Sequence, residues 1–426
     1  MKQILFACIF SLFCTLGYSQ IVEGIKHLEN ENYAAATEAF NQACKADSKN
    51  GVAHYWIGEV AFAQEDYAGA EKSYKKGVEA GNCAECYVGL GKLMLNKGNV
   101  AEAEKNFELA KRIDKKKAST YGLIGDAYLY SKTPNATKAI ENLGNARDMD
   151  PKNAVYWAHL GDAFILIRDN GQAMSAYEDA IVKDPTNSEA YIKMARIWSA
   201  AKQTDLAIEK LEKAIELSPN DARPIKFLYE LYISKRQYSK VVPLLEKYIS
   251  LAGKDNEAKV RLVKFLTFQA KDYERAIIEG EKLMASNVND YTLHRWLAWS
   301  YTGMAKQLET DRESGQEYDT VLVKSHYCKG LENSKKLFDA VGKDNSRKAF
   351  PEDYDFWALA ALKCGSLDDA AHIYRKYIEL DSTRAGEIYS ILAKTYYDST
   401  RYDQAINYYN RKMETKSLSN AEEYYL

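Results

Sequence analysis

The sequence predicts an all-α solenoid built from antiparallel helix pairs, and three observations carry that expectation. A small residue returns about every 34 positions, at Gly24, Gly58, Gly91, Gly125, Gly161 and then Ala195. Some twelve residues later a second one keeps the same interval, at Ala36, Ala70, Ala103, Ala139, Ala173 and Ala207. Around the first set, large apolar residues share one helical face, as helices crossing at close range require. Self-similarity at this period means that each unit buries its apolar face only against its neighbours.

Repeat starts fall at 17, 51, 84, 118, 154, 188, 222, 256, 291, 351 and 386, which makes eleven repeats. Numbering each repeat from 1, position 8 is the small residue and position 7 is apolar: Ile57, Leu90, Ile124, Leu160, Met194, Leu228. Position 11 is large, as in Met94, Tyr128, Phe164, Trp198, Tyr232, Tyr301 and Tyr396. A second helix then carries Ala at 20, a ring or Leu at 24 and Ala at 27, so large and small groups interlock. Asp150-Pro151-Lys152-Asn153, Asp184-Pro185-Thr186-Asn187 and Ser218-Pro219-Asn220-Asp221 close the second helix and offer a cap to the next one.

The fifth repeat spells this out with Trp157, Leu160, Gly161, Phe164, Ala173, Tyr177, Ala180 and Pro185. That pattern resembles the tetratricopeptide repeat, and the resemblance extends over nearly the whole chain after its first residues. It implies a right-handed superhelix that holds peptides, helices or whole partners, mostly in a concave groove.

Departures from the pattern are also expectations. Two extra residues enter the inner turn of repeat four near Thr133-Pro134-Asn135. Tyr229 replaces the small residue of repeat seven, and Pro243 lies early in its second helix, so packing there should differ. Repeat eight has Gly280 where a ring belongs, in a register uncertain by one residue. Repeat nine is 60 residues long, and the polar run Lys306 to Asp319 marks an insertion between its helices, around 305–330, followed by a longer second helix over Tyr318 to Val341. The organisation expected is a leader over 1–19, a regular array over 20–255 (repeats 1–7), divergent repeats 8–11 over 256–419, and the start of a truncated twelfth over 420–426.

Composition narrows the function. The 58 Lys and Arg nearly balance the 60 Asp and Glu, for a net charge of −2, and no basic excess points to nucleic acid. Lys2, the apolar stretch Ile4 to Leu16 and Gly17-Tyr18-Ser19 read as a secretory leader cleaved before Gln20. No later segment is apolar enough to span a bilayer. Past the leader the cysteines are Cys44, Cys83, Cys86, Cys328 and Cys364, an odd set with irregular spacing that is not read as a disulfide framework. Cys83-Ala-Glu-Cys86 reads as structural thiols or a local disulfide, since it lacks the second pair of a zinc site and the strand–helix setting of a redox site.

Chemistry is sparse. The six histidines are scattered, with no HExxH, and neither phosphate-binding glycine motif occurs. His27 and His54 fall at packing positions. No nucleophile with an adjacent base emerges, so no catalysis, cofactor or metal is expected.

The resemblance implies that positions 2, 5, 9 and 12 of the first helix face the groove. Position 9 carries Glu59, Lys92, Asp126, Asp162, Arg196, Glu230, Lys264 and Trp299, and position 5 adds Tyr55 and Arg295. A charged row of this kind argues for an exposed face, with or without a ligand. Arg295 and Trp299, one turn apart, are the candidate anchor for a partner, unless the neighbouring insertion covers them. The terminal-carboxylate clamp of some relatives, Lys at 5 with Asn at 9, is not matched by Tyr55/Glu59, Val88/Lys92 or Gly122/Asp126. The expected function is a non-catalytic protein- or peptide-binding scaffold, similar to exported proteins of Gram-negative bacteria of the Bacteroidota type and placed in the periplasm or envelope. The alternatives are a recognition arm of a larger enzyme or sensor, or an envelope component that binds lipid or peptidoglycan.

Overall fold

Helix caps and small residues set the architecture seen in the computed structural model, which describes residues 19–28, 32–81, 83–288, 290–313 and 319–415. Among the described residues there are 22 α-helices and no strands. They form two compact halves, Met1–Pro219 and Asn220–Leu426. The division lies one repeat earlier than the boundary expected between 255 and 256, so repeat seven, which lacks the small residue at position 8, groups with the divergent part. Most of the leader and all of 420–426 lie outside the described residues.

In the first half, residues 19–28 form α1. The other first helices are α3 (Gly51–Ala63), α5 (Ala84–Asn96), α7 (Ala118–Leu129), α9 (Ala154–Leu166) and α11 (Ser188–Ala200). The second helices are α2 (Tyr33–Ala46), α4 (Tyr67–Ala80), α6 (Val100–Ile113), α8 (Ala136–Met149), α10 (Asn170–Lys183) and α12 (Thr204–Leu217). Five first helices thus begin on the residues the repeat predicts, because the residue before each helix is often a cap. Asn50 Oδ1 accepts from Ala53 N at 3.1 Å, and Asn187 Oδ1 from Ala190 N at 3.1 Å. Four inner turns reverse the chain through one left-handed residue, Glu65, Gly98, Arg168 or Lys202, while the longer turn of repeat four between α7 and α8 does without one.

The small residue at position 8 is small because a ring of the second helix lies on it. A Cβ on Gly58 would stand 2.3 Å from Tyr74, one on Gly91 2.3 Å from Phe107, and one on Gly161 2.5 Å from Tyr177. All three rings are buried beside the alanines of positions 20 and 27. First helices also meet one another across repeats, α3 with α5, α5 with α7 and α7 with α9.

The second half contains α13 (Ala222–Ser234), α14 (Val241–Ala252), α15 (Asn256–Phe265), α16 (Tyr273–Ala285), α17 (Tyr291–Glu313), α18 (Thr320–Gly342), α19 (Pro351–Cys364), α20 (Leu367–Leu380), α21 (Ala385–Asp398) and α22 (Tyr402–Glu414). In repeat seven, Tyr229 is buried and meets Tyr248 edge-on at 5.7 Å, where other repeats pair small residues. Pro243 falls in the first turn of α14, where its missing N–H has no helical partner to lose. The one-residue slip of repeat eight has a structural cause. A π-helical turn over Leu266–Ala270 absorbs one extra residue before α16 begins.

The long ninth repeat is not a loop inserted between ordinary helices. Both its helices are extended, to 23 residues each. The added turns are clasped by α19: Ala305, Val323 and Tyr327 pack with Leu359, and Lys363 Nζ meets Glu309 at 2.9 Å. The cysteines follow expectation at Cys83 and Cys86, where a local disulfide is one of the two readings of the sequence, and depart from it at Cys328 and Cys364. Disulfides join Cys83 to Cys86 and Cys328 to Cys364, the second tying α18 to α19 across repeats nine and ten. Cys44 is the one free thiol among the described residues.

Candidate functional site

The charged row at position 9 is a ladder that ties repeats together. Glu59 accepts the hydroxyl of Tyr74 at 2.6 Å within its own repeat and pairs with Lys92 of the next repeat at 2.7 Å. Asp162 repeats the motif, accepting from Tyr177 at 2.6 Å and pairing with Lys193 at 2.9 Å, with Tyr130 donating a third bond at 2.8 Å. Asp126 meets His159 Nδ1 at 2.6 Å. Glu230 stands 3.9 Å from Arg261 in the second half. Glu59 and Asp162 therefore each order their own second helix and hold the following first helix, while Asp126 and Glu230 reach only the following first helix.

Electrostatics follow the geometry. Burial, then the Glu59 charge and hydrogen bond, pushes the Tyr74 hydroxyl far above its ordinary pKa, and burial with Asp162 does the same to Tyr177. Burial works against a charged His159. The bond and charge of Asp126, aided by Asp162, outweigh it and raise the imidazole.

Several expected groove residues are thereby reassigned. Tyr55 is buried in the core against Trp56 and Tyr74, with its hydroxyl pushed upward chiefly by burial. Glu59, Lys92, Asp126, Asp162 and Glu230 are rungs, and Lys92 also lies over the Phe62 ring at 3.8 Å.

The expected Arg295–Trp299 anchor is internal. Arg295 is 4% exposed, and its Nε donates to both oxygens of the buried Asp353 at 2.8 and 2.9 Å. Trp299 Nε1 donates to the same carboxylate at 3.1 Å, and its ring stacks on Phe356 at 4.7 Å. Phe350 N supplies a third donor at 2.9 Å. The covering elements are α19 and the segment before it; the inserted turns are not involved. Arginine and tryptophan at hot-spot spacing are here the joint between repeats nine and ten.

Two cations of the row remain without an anionic partner among the described residues: Arg196 and Lys264. Each lines a groove. In the first half, a cavity of about 380 Å³ is walled by Leu129, Tyr130, Ile165, Leu166 and Ile197, with Arg196 at its edge. Tyr130, Ile165 and Leu166 are all strongly exposed for residues of their kind. In the second half, a cavity of about 690 Å³ spans α13, α15 and α17. The apolar walls escaped sequence reasoning, although Ile165 and Leu166 at positions 12 and 13 were a readable sign: two large apolar residues on an otherwise polar face.

Models of the tetratricopeptide repeat match residues 21–82, 84–117 and 188–221. A search of the curated proteins found no match. Among solved structures, the chain is similar to MamA at 25% identity, covering 39% of this chain and 97% of that one with a TM-score of 0.32. It is similar to PilF of Pseudomonas aeruginosa at 14% identity, covering 50% and 96% with a TM-score of 0.39. The third is YrrB, described as a repeat protein of this kind with an unusual peptide-binding site, at 18% identity, covering 47% and 99% with a TM-score of 0.30.

Proposed function

We propose, from the premise that this chain is a tetratricopeptide-repeat protein, that it is an exported adaptor whose first-helix face binds an extended segment of a partner protein. Its repeats make it a protein-interaction scaffold. The observation that carries the finer reading is the first-half groove, where Tyr130, Ile165 and Leu166 expose apolar surface beside the unpartnered Arg196. Apolar side chains on a helical wall beside Arg196, the lining cation that no carboxylate meets (Lys193 being paired with Asp162), favour a peptide bearing an apolar residue next to an acid, at little ordering cost to the scaffold. The ladder supports the same view, since its charges are spent on holding the wall in shape. No catalysis is assigned to the chain, and its partners are proteins or peptides. Two disulfides, together with the leader-like first residues, support an oxidising compartment such as the periplasm or envelope.

The test is selection of a displayed random-peptide library on the chain from Gln20 onward. Enriched sequences should pair an apolar residue with an acid and lose affinity about tenfold, near 1.4 kcal/mol, on Arg196→Glu. Equal affinity for that variant, or no enrichment at all, removes the reading. For location, fractionation of Gram-negative cells expressing the full sequence should recover a product beginning at Gln20 outside the cytoplasm; recovery of an uncleaved cytoplasmic product would sink the export half.

A further inference from the structure

In the first half, each inner turn of repeats three to six exposes one cation and one large apolar residue. The pairs are Lys97 with Val100, Lys132 with Tyr130, Arg168 with Ile167, and Lys202 with Leu206. The apolar members are between 37% and 59% exposed. Turns that join first to second helices fall on one edge of a stack of helix pairs, so the four pairs make a row. Contacts along it bear this out. Lys132 N donates to Asn96 Oδ1 of the preceding repeat at 3.2 Å, and its ammonium lies 5.4 Å from the centre of the Tyr67 ring at the start of α4. Leu129, Leu166 and Ala200, the last residues of α7, α9 and α11, wall one cavity.

The charge of the row is positive and mostly unanswered. Lys97 is met by Glu71 at 2.8 Å. Lys132, Arg168 and Lys202 have no carboxylate partner among the described residues. Of the two acids in these turns, Asp169 caps α10, accepting from Gln172 N at 3.0 Å, and Asp205 is not free either. Repeat two ends the row, because its turn is Glu65-Asp66.

A protein partner presents a different residue at each contact, yet here the same two demands, an anion and an apolar filling, return at every turn. A surface that is uniform along its length satisfies such a row, and the boundary of an anionic bilayer is one, with phosphates above and acyl chains below. Lysine and arginine stems lie along apolar surface while their heads stay at the phosphates. No helix among the described residues is long and apolar enough to cross a membrane, so this contact is made at the surface.

We propose that the inner-turn edge of repeats three to six docks on an anionic lipid surface, with Lys132, Arg168 and Lys202 at the headgroup phosphates and Ile167 and Leu206 in the acyl boundary beneath. It goes beyond the peptide reading, and Arg196 takes no part in it.

The experiment is flotation of the chain from Gln20 onward, without the leader's own apolar stretch, with vesicles of phosphatidylcholine alone or with about one-third phosphatidylglycerol. Recovery on the anionic vesicles should correspond to about tenfold tighter binding, and should fall as salt is raised. The triple variant Lys132→Gln, Arg168→Gln, Lys202→Gln, in which every substituted side chain is exposed, should lose that excess. Ile167→Ser with Leu206→Ser should weaken binding severalfold, and the added indole of Ile167→Trp should shift its emission to the blue on anionic vesicles. Equal binding to both vesicles, or an excess that survives the triple variant, overturns the site. An unshifted emission from Ile167→Trp overturns the seating of the apolar row. Equally tight binding of soluble polyglutamate would give the row to an acidic protein and overturn the membrane assignment. An excess that survives the triple variant but is lost in Arg196→Glu would put the anion in the groove, overturning this inference and leaving the peptide reading standing.

Discussion

The two halves join their repeats by different means. In the first half the same parts recur: a glycine under a ring, a tyrosine hydroxyl on an acid, and that acid on a cation of the following repeat. In the second half almost every joint is particular. Tyr229 pairs with Tyr248, Thr267 shares a buried 2.6 Å hydrogen bond with Ser300, Arg295 is locked to Asp353, and a disulfide links α18 to α19. A solenoid asks only that each repeat grip its neighbour, so the residues of the grip are free to diverge once the helix pair is kept. The recurring grip produces a legible sequence, and the particular grips accommodate a long ninth repeat.

This comparison can be broken most sharply at Arg295. Arg295→Leu strands the Asp353 carboxylate in the core and should cost about 3–5 kcal/mol, read as an earlier urea transition of the second half. The double variant with Asp353→Leu should regain most of that loss; if the single variant melts like wild type, the pair does not join these repeats. Next in size is the disulfide. Cys328→Ser should cost about 2–4 kcal/mol and expose α18 and α19 to faster hydrogen exchange, with α4 and α6 of the first half unaffected. An unchanged exchange pattern would deny it a structural role.

Gly161→Ala probes the recurring grip. Its Cβ would lie 2.5 Å from a Tyr177 ring carbon, so overpacking of about 1–3 kcal/mol is expected, whereas alanine at the solvent-facing Gly144, with nothing within 4 Å, should stabilise its helix by about 1 kcal/mol. The smallest effect concerns the one ladder rung that can lose its charge near neutrality. His159 is raised by Asp126, so the rung contributes fully below the unfolded value of about 6.5 and is lost as pH rises through the higher folded value. Wild type should therefore lose a fraction of a kcal/mol relative to His159→Gln over that interval, and parallel pH profiles of thermal stability would remove the rung from the account.

Helix positions were readable because capping and close crossing are local or strictly periodic demands. First helices begin at 51, 84, 118, 154, 188, 222, 256, 291 and 351, as the spacing requires. The site was less readable, because charge says nothing of its partner until the fold supplies one. The row at position 9 looked free, yet its partners stand 31 to 33 residues away: Glu59 with Lys92, Asp126 with His159, Asp162 with Lys193. Cys328 lies in the second helix of repeat nine and Cys364 at the end of the first helix of repeat ten, so their separation of 36 reflects the antiparallel packing of α18 on α19 and not the repeat period. Arg295 and Asp353, 58 apart across the lengthened repeat, follow no period and left no trace in the pattern.

The Cys328–Cys364 bond also alters how the chain would answer to tension. A repeat array pulled from its ends yields one repeat at a time, each releasing roughly 110–120 Å of slack for its 34 residues. The covalent bridge withholds the 36-residue span between its sulfurs from that release. Under oxidising conditions the force trace would therefore lack about one full step, and a reductant would restore it.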